Sequence, residues 1–320
     1  MNRKTFILVL SIIALLSAGA CYNSYLTFSI LQPADTVLPA SLSKISILPM
    51  PGVPSVNGSF DSLENLKPGN PYDIKMGYIR GIHSVLSESP RFSRVKLTEQ
   101  SAAPFIDHTQ ITWEDLANVC KHDSTDAVLV LSKAVSYSAN SYNPYLIYNS
   151  SNFYLLNKTR WIFYQPQTHS VSGRFNYIDT VEFGEFPAGE LSDLFYQACF
   201  ITGENCGRRI VPYWQDVSRI IYSGPGRDLR DAAVFVKSNK WRNAGLLWND
   251  LISHKKTKVA SNAAFNLAVA FERDDDLEQA YLWISYADSM HHSSLYSNYM
   301  KILEIRLKNR SILIRQMTGK

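Results

Sequence analysis

The feature that most constrains this chain is a repeat near its C-terminus. Ala232, Phe235, Trp241, Ala244, Trp248 and Leu251 recur 36 residues later as Ala268, Phe271, Leu277, Ala280, Ile284 and Ala287. In each copy the apolar positions keep helical spacing on both sides of a polar turn, at Asn239 in the first and at Asp274-Asp-Asp276 in the second. Small residues let paired helices approach, and large ones fill a core shared between neighbours. The pattern therefore describes two stacked helical hairpins, each unable to bury its apolar face alone. Leu295 to Met317 reads as a further helix that caps the stack.

The N-terminus is constrained differently. Arg3 and Lys4 precede an apolar run from Phe6 to Leu16, followed by Ser17-Ala18-Gly19-Ala20 and then Cys21. Charge, apolar run and small residues in that order mark residues 1–20 as a secretory signal, and the run is too short to favour a stable span. A cysteine directly after small residues resembles the lipobox of bacterial lipoproteins. That resemblance implies lipid attachment at Cys21, which becomes the first residue of the mature chain. The alternative is an ordinary cleaved signal beside an unmodified cysteine. Residues 21–43 read as a tether.

Between tether and repeat, the periodicity predicts an α/β domain over 44–186. Its parts are a strand at Lys44–Met50, a Gly/Pro-rich loop over 52–71 and a helix over 72–89 stopped by Pro90. A strand at Arg94–Thr98 follows, then a helix capped by Thr112 and an apolar strand at Ala127–Leu131. Two long β-segments, 153–165 and 171–184, flank a turn at Pro166–Ser170, with Arg160, Ile162 and Tyr164 on one side and Trp161 and Phe163 on the other. Residues 187–226 read as connecting helices, 190–202 and 208–222, separated by Gly203 and Gly207 and closed by Gly224-Pro-Gly226. The fold class expected is α+β or α/β: a small N-terminal α/β sandwich followed by an all-α helical repeat domain over 227–320.

The repeat is similar to the tetratricopeptide repeat, although it lacks the turn glycine and closing proline of that family. Taken whole, the chain resembles an uncharacterised lipoprotein family of Bacteroidetes. Leu31-Gln-Pro-Ala-Asp35, the stretch Val211–Arg219, Trp241-Arg-Asn-Ala244 and Ala264-Phe-Asn-Leu-Ala268 with Glu272 carry that resemblance. It implies an outer-membrane location, and the absence of an acidic pair after Cys21 points to the periplasmic side. It brings no activity.

The chemistry-bearing residues form no known catalytic pattern. The chain has no His-Glu-x-x-His, Gly-x-Ser-x-Gly or P-loop. Cysteine and histidine spacings fit no metal site, Asp274-Asp-Asp276 lacks the pattern of a calcium loop, and no cofactor is implied. Cys199 and Cys206 are candidates for a disulfide closing a loop around Gly203, buried thiols being the alternative. A net charge of +4 does not point to nucleic acid. Lys255, Lys256 and Lys258, and then Arg306, Lys308, Arg310 and Arg315, form basic clusters that read as solvated faces or as contacts for an anionic partner. Asp-Ser and Asp-Thr triplets resemble O-glycosylation sites of exported Bacteroidetes proteins. Thr36 and Ser62 are the accessible candidates, and Thr180 is placed less reachably.

The reading that follows is a membrane-anchored, non-enzymatic interaction or scaffold protein. Its partners are membrane lipid through Cys21 and a protein or peptide in a helical groove, with Asn262, Asn266, Val269 and Arg273 as the candidate lining. The rival is an envelope hydrolase or glycan-active enzyme with an unrecognised site between the domains. Strand addition at the β-hairpin edge is a third reading.

Overall fold

The computed structural model of the chain describes residues 23–49, 55–57, 71–98, 111–138, 152–185, 191–224 and 226–318. The signal, Cys21 and Ser62 lie outside the described residues. In chain order the elements are β1 (Asn23–Gln32), β2 (Lys44–Pro49), β3 (Ser55–Asn57), α1 (Pro71–Glu88), β4 (Arg94–Leu97), α2 (Trp113–Asp123), β5 (Ala127–Ser138), β6 (Asn152–Gln165) and β7 (Ser170–Glu185). They continue with α3 (Leu191–Ile210), β8 (Tyr213–Tyr222), α4 (Arg227–Lys237), α5 (Trp241–Leu251), α6 (Thr257–Arg273), α7 (Leu277–Met290) and α8 (Ser294–Thr318). Two compact units result. The sheet unit is Leu31–Trp214 with Ser311–Lys320, and the helical unit is the chain up to Ile30 with Gln215–Arg310.

The sheet unit is built on strands in the order β4-β2-β5-β6-β7, with β3 beside the far end of β5. β2 and β3 run parallel to β5, β6 runs antiparallel to it, and β7 runs antiparallel to β6. Helices cover both faces of β5 at its start, so Ala127-Val-Leu-Val-Leu131 has no polar residue. Ala127, Leu129 and Leu131 join α1 and α3 in the main core, while Val128 and Val130 pack with Leu116, Val119 and Cys120 of α2. Thr112 caps α2 as expected, in a reciprocal box with Asp115. The Pro166–Thr168 turn closes the hairpin, with His169 in the left-handed region.

Three expectations are corrected. The tether contains a strand, since β1 pairs with β8. The two connecting helices are one helix, α3, and the segment read as the second continues as β8. Cys199 and Cys206 are free, buried thiols and not a bridge. On one continuous helix they stand seven residues, about 10 Å, apart, beyond the span of a disulfide. The glycines that look like breakers are packing devices. A Cβ on Gly81 of α1 would overlap the carbonyl oxygen of Phe200, and one on Gly203 of α3 would overlap that of Tyr78. A buried polar chain lies beneath: the Tyr78 hydroxyl donates to Asn157 Oδ1 at 2.8 Å, and Asn157 Nδ2 donates to Thr202 at 2.9 Å.

In the helical unit, α4 packs on α5, α5 on α6 and α6 on α7. Ala232, Ala244, Ala268 and Ala280 are all fully buried, as the repeat requires, and so are Trp248, Ile284 and Ala287. Asn239 and Asp275, again 36 residues apart, occupy the turns at φ 55° and 59°. This explains the missing glycine, because Asn and Asp are the side chains most tolerant of left-handed backbone.

Candidate functional site

Within the helical unit the expected groove is filled from inside. Asn266 is fully buried on α6, and its amide accepts from Tyr222 N–H and donates to Tyr222 C=O, both at 2.8 Å. One helical turn and a half further on, Glu272 is buried and takes Arg219 of β8 through two bonds of 2.7 and 2.8 Å. Tyr299 donates to the same carboxylate at 2.6 Å, and Arg306 at 3.0 Å. Burial alone would raise the Glu272 carboxyl, but the hydrogen bond and charge of Arg219, with Tyr299 and Arg306, outweigh it and hold the group below its ordinary value. β8 in turn carries β1 beside it. Ser24 bonds Ile221 and Ser29 bonds Asp216, an antiparallel pairing.

These contacts overturn the expected lining. Asn266 and Val269 are consumed by the core, Asn262 accepts from Tyr296 at 2.8 Å, and Arg273 lies over the Trp241 ring at 4.4 Å while pairing with Asp274. The basic cluster on α8 is also partly spent. Arg306 bridges Glu272 and Asp275, and Arg310 pairs with Glu278. Thr36, expected on an open tether, is half-buried and donates to the Arg209 and Ile210 carbonyls at the end of α3. Thr180, ranked less reachable, is exposed on β7.

The concave chemistry lies on the sheet unit, on the face of β5, β6 and β7 opposite α1 and α3. A shallow cleft of about 240 Å³ is lined there by Lys133, Tyr137, Lys158, Arg160, Asn176 and Ile178, among others. A β-bulge after Leu131 sets its geometry. Ser132 is the extra residue, its hydroxyl donating to the Arg160 carbonyl at 3.1 Å, and the bulge places Lys133 directly across from Arg160. Bulges re-aim side chains in this way. Arg160 then donates to Asn176 Oδ1 at 2.9 Å, and the Lys158 ammonium stands over the Tyr137 ring at 5.1 Å. Two cations directly opposite on neighbouring strands repel, and Lys158 and Arg174 add to the charge of the same face. The sequence places Arg160 on one side of its strand but marks none of these residues as a site. Their signal is the alternation in Asn157-Lys-Thr-Arg160, whose polar members Asn157 and Thr159 go to the buried face and whose cations go to the open face.

Among the described residues, no group of three or more His, Cys, Asp or Glu side chains is placed to hold a metal, and no helix is long and apolar enough to cross a membrane.

Two family models match parts of the chain, each described as a domain of unknown function: DUF8603 over residues 72–222 and DUF6340 over 230–305. No curated protein matches. Among solved structures the chain is similar to the PelC dodecamer from Paraburkholderia phytofirmans, at 8% identity and a TM-score of 0.25, over 57% of this chain and 98% of that one. It is also similar to the hypothetical protein CT253 from Chlamydia trachomatis, at 13% identity and a TM-score of 0.26, over 52% of this chain and 98% of that one. The first match spans α1 to β8 and the second the helical hairpins.

Proposed function

We propose that this chain is a lipid-anchored protein of the bacterial envelope, held by Cys21 on the periplasmic side of the outer membrane, and that it acts as a non-enzymatic scaffold. Its partner is an anionic molecule taken up on the open face of the sheet. The observation that carries this reading is Lys133 set directly opposite Arg160 by a bulge. A fold that keeps two like charges face to face bears a standing cost, and an anionic guest relieves it. The cleft offers cations, an amide, a phenol and an aliphatic edge, which is the chemistry of binding and orientation. The C-terminal hairpins act as tetratricopeptide-like units whose inner helix α6 holds the chain's own strand β8, so they build the scaffold and do not capture a peptide.

Crosslinking in the native host tests this directly. Wild-type protein should yield an adduct in the membrane fraction. Lys133→Glu with Arg160→Glu should lose the adduct and stay at the membrane, whereas Cys21→Ser should leave the membrane fraction. Adducts unchanged by the double charge reversal would refute the cleft, and unchanged membrane association of Cys21→Ser would refute the anchor.

A further inference from the structure

Strand β7 ends the sheet, and among the described residues it pairs only with β6. It is 16 residues long, and between bulges at Ser172 and Gly184 its stretch Arg174–Glu182 runs in regular register, without Pro and with charges of both signs. Ile178, at the middle of that stretch, is 60% exposed. A regular nine-residue edge between two bulges, with a bare isoleucine at its centre, is a template for another strand.

The sequence of the edge says by what. On the open face the strand presents Arg174, Asn176, Ile178, Thr180 and Glu182 in alternation. If a second copy of the same strand is laid antiparallel across a two-fold axis at Ile178, each isoleucine meets its own copy. Asn176 then meets Thr180, and Arg174 meets Glu182, every pair occurring twice by symmetry. Moving the axis to Tyr177 or Asp179 separates the charges and sets Ile178 against a polar side chain. Opposite charges, apolar pairs and hydrogen-bonding pairs directly across a ladder are the favourable ones. We infer that β7 is a homodimer interface, with two copies of this chain joined edge to edge through Arg174–Glu182 centred on Ile178. Such an interface is isologous, so it closes at two copies and consumes the edge. It also unites two clefts. Asn176 and Ile178 line the cleft of each copy, and strands β6 of the two copies come to stand three ladder spacings, about 14 Å, apart. Lys158 and Arg160 from both copies then face one continuous surface. The dimer stands or falls independently of the anionic partner.

The test uses the full chain in membranes with single cysteines introduced on the exposed face. Cys120, Cys199 and Cys206 are buried and supply a silent background. With mild oxidant, Ile178→Cys should convert most of the protein to a disulfide-linked dimer on a non-reducing gel, because directly opposed residues lie within disulfide reach. Asn176→Cys and Thr180→Cys should each stay monomeric, since the register sets like residues about 13 Å apart, whereas a chain carrying both should crosslink. Arg174→Glu added to Ile178→Cys should abolish the dimer, and Glu182→Arg added to that pair should restore it. A monomeric Ile178→Cys, equal crosslinking of Asn176→Cys alone, or a failure of the charge swap to restore dimer would each overturn the inference.

Discussion

A side-chain amide offers one acceptor and a pair of donors on a planar frame, so it can complete an extended backbone as a neighbouring strand would. Asn266 does this for Tyr222 in the helical unit, and Gln316 does it in the sheet unit, accepting from Ala34 N–H and donating to the Ala34 and Thr36 carbonyls. Both residues are buried, and neither stands out in the sequence, because an amide on a helix reads as surface until its partner strand is known. In the sequence Glu272 stands out only beside Ala264–Ala268, in the stretch that carries the family resemblance. Its role comes from Arg219, 53 residues away, and no local pattern reports such a pair. Removing the charge with Glu272→Gln leaves Arg219 uncompensated in a buried setting, while Arg306 keeps Asp275, and should cost about 3 kcal/mol at neutral pH. The depressed carboxyl also sets a direction with pH. Its contribution is complete above the ordinary glutamate value of 4.5 and is lost as pH falls through the lower folded value. Thermal unfolding across pH 3 to 7 should therefore show wild type losing more stability on acidification than Glu272→Gln. Equal midpoints at pH 7 would contradict the pairing.

At the scale of elements, β2, β4, the start of β5, β6, β7 and both helical hairpins follow from period alone, whereas β3 falls in the segment read as a loop and β5 runs on past Leu131 to Ser138. The side assignments of Arg160, Trp161 and Phe163 and the burial of the four repeat alanines come out as the spacing predicts. The failures share a cause. Gly203 and Gly207 read as punctuation, but Gly203 lies against the α1 backbone at Tyr78 and Ile82 and Gly207 against Val85 and Leu86, while Gly77 and Gly81 of α1 lie against the α3 backbone at Tyr196 and Phe200. Spacing of four within an apolar helix was the available signal. β8 misled because Val217, Ile220 and Ile221 fit a helical face, although the β-branched and aromatic content of Tyr213–Tyr222 favours a strand. β1 was absorbed into a tether because it pairs with a strand nearly two hundred residues away. Gly81→Ala measures the helix contact. The methyl group meets the backbone of Phe200, which cannot rotate aside, so the variant should lose about 1–3 kcal/mol in denaturant unfolding. A stability equal to wild type would show that α1 and α3 do not approach as described.

At the scale of the whole molecule, the sequence made the architecture readable but expected an open groove where the structure has packing. An open groove is the default for stacked helical hairpins, and Asn262, Asn266, Val269 and Arg273 were chosen on that basis. The structure gives the inner side of α6 to β8, and the cleft on the sheet arises from three strands whose alignment depends on a bulge no sequence pattern announces. Beside the cation pair of the cleft, the reading needs the helical unit to be closed by its own strand, since an open α6 face would restore a peptide groove. Native-state hydrogen exchange at the Tyr222 amide reads it at a single site, because that N–H donates to Asn266 Oδ1. Wild-type protein should protect the Tyr222 amide at a level comparable with the α6 helix core, and Asn266→Ala should bring its exchange close to the rate of an unfolded chain. A Tyr222 amide that exchanges freely in the wild-type protein would mean that β8 leaves the inner face open, and the groove would return as the binding site.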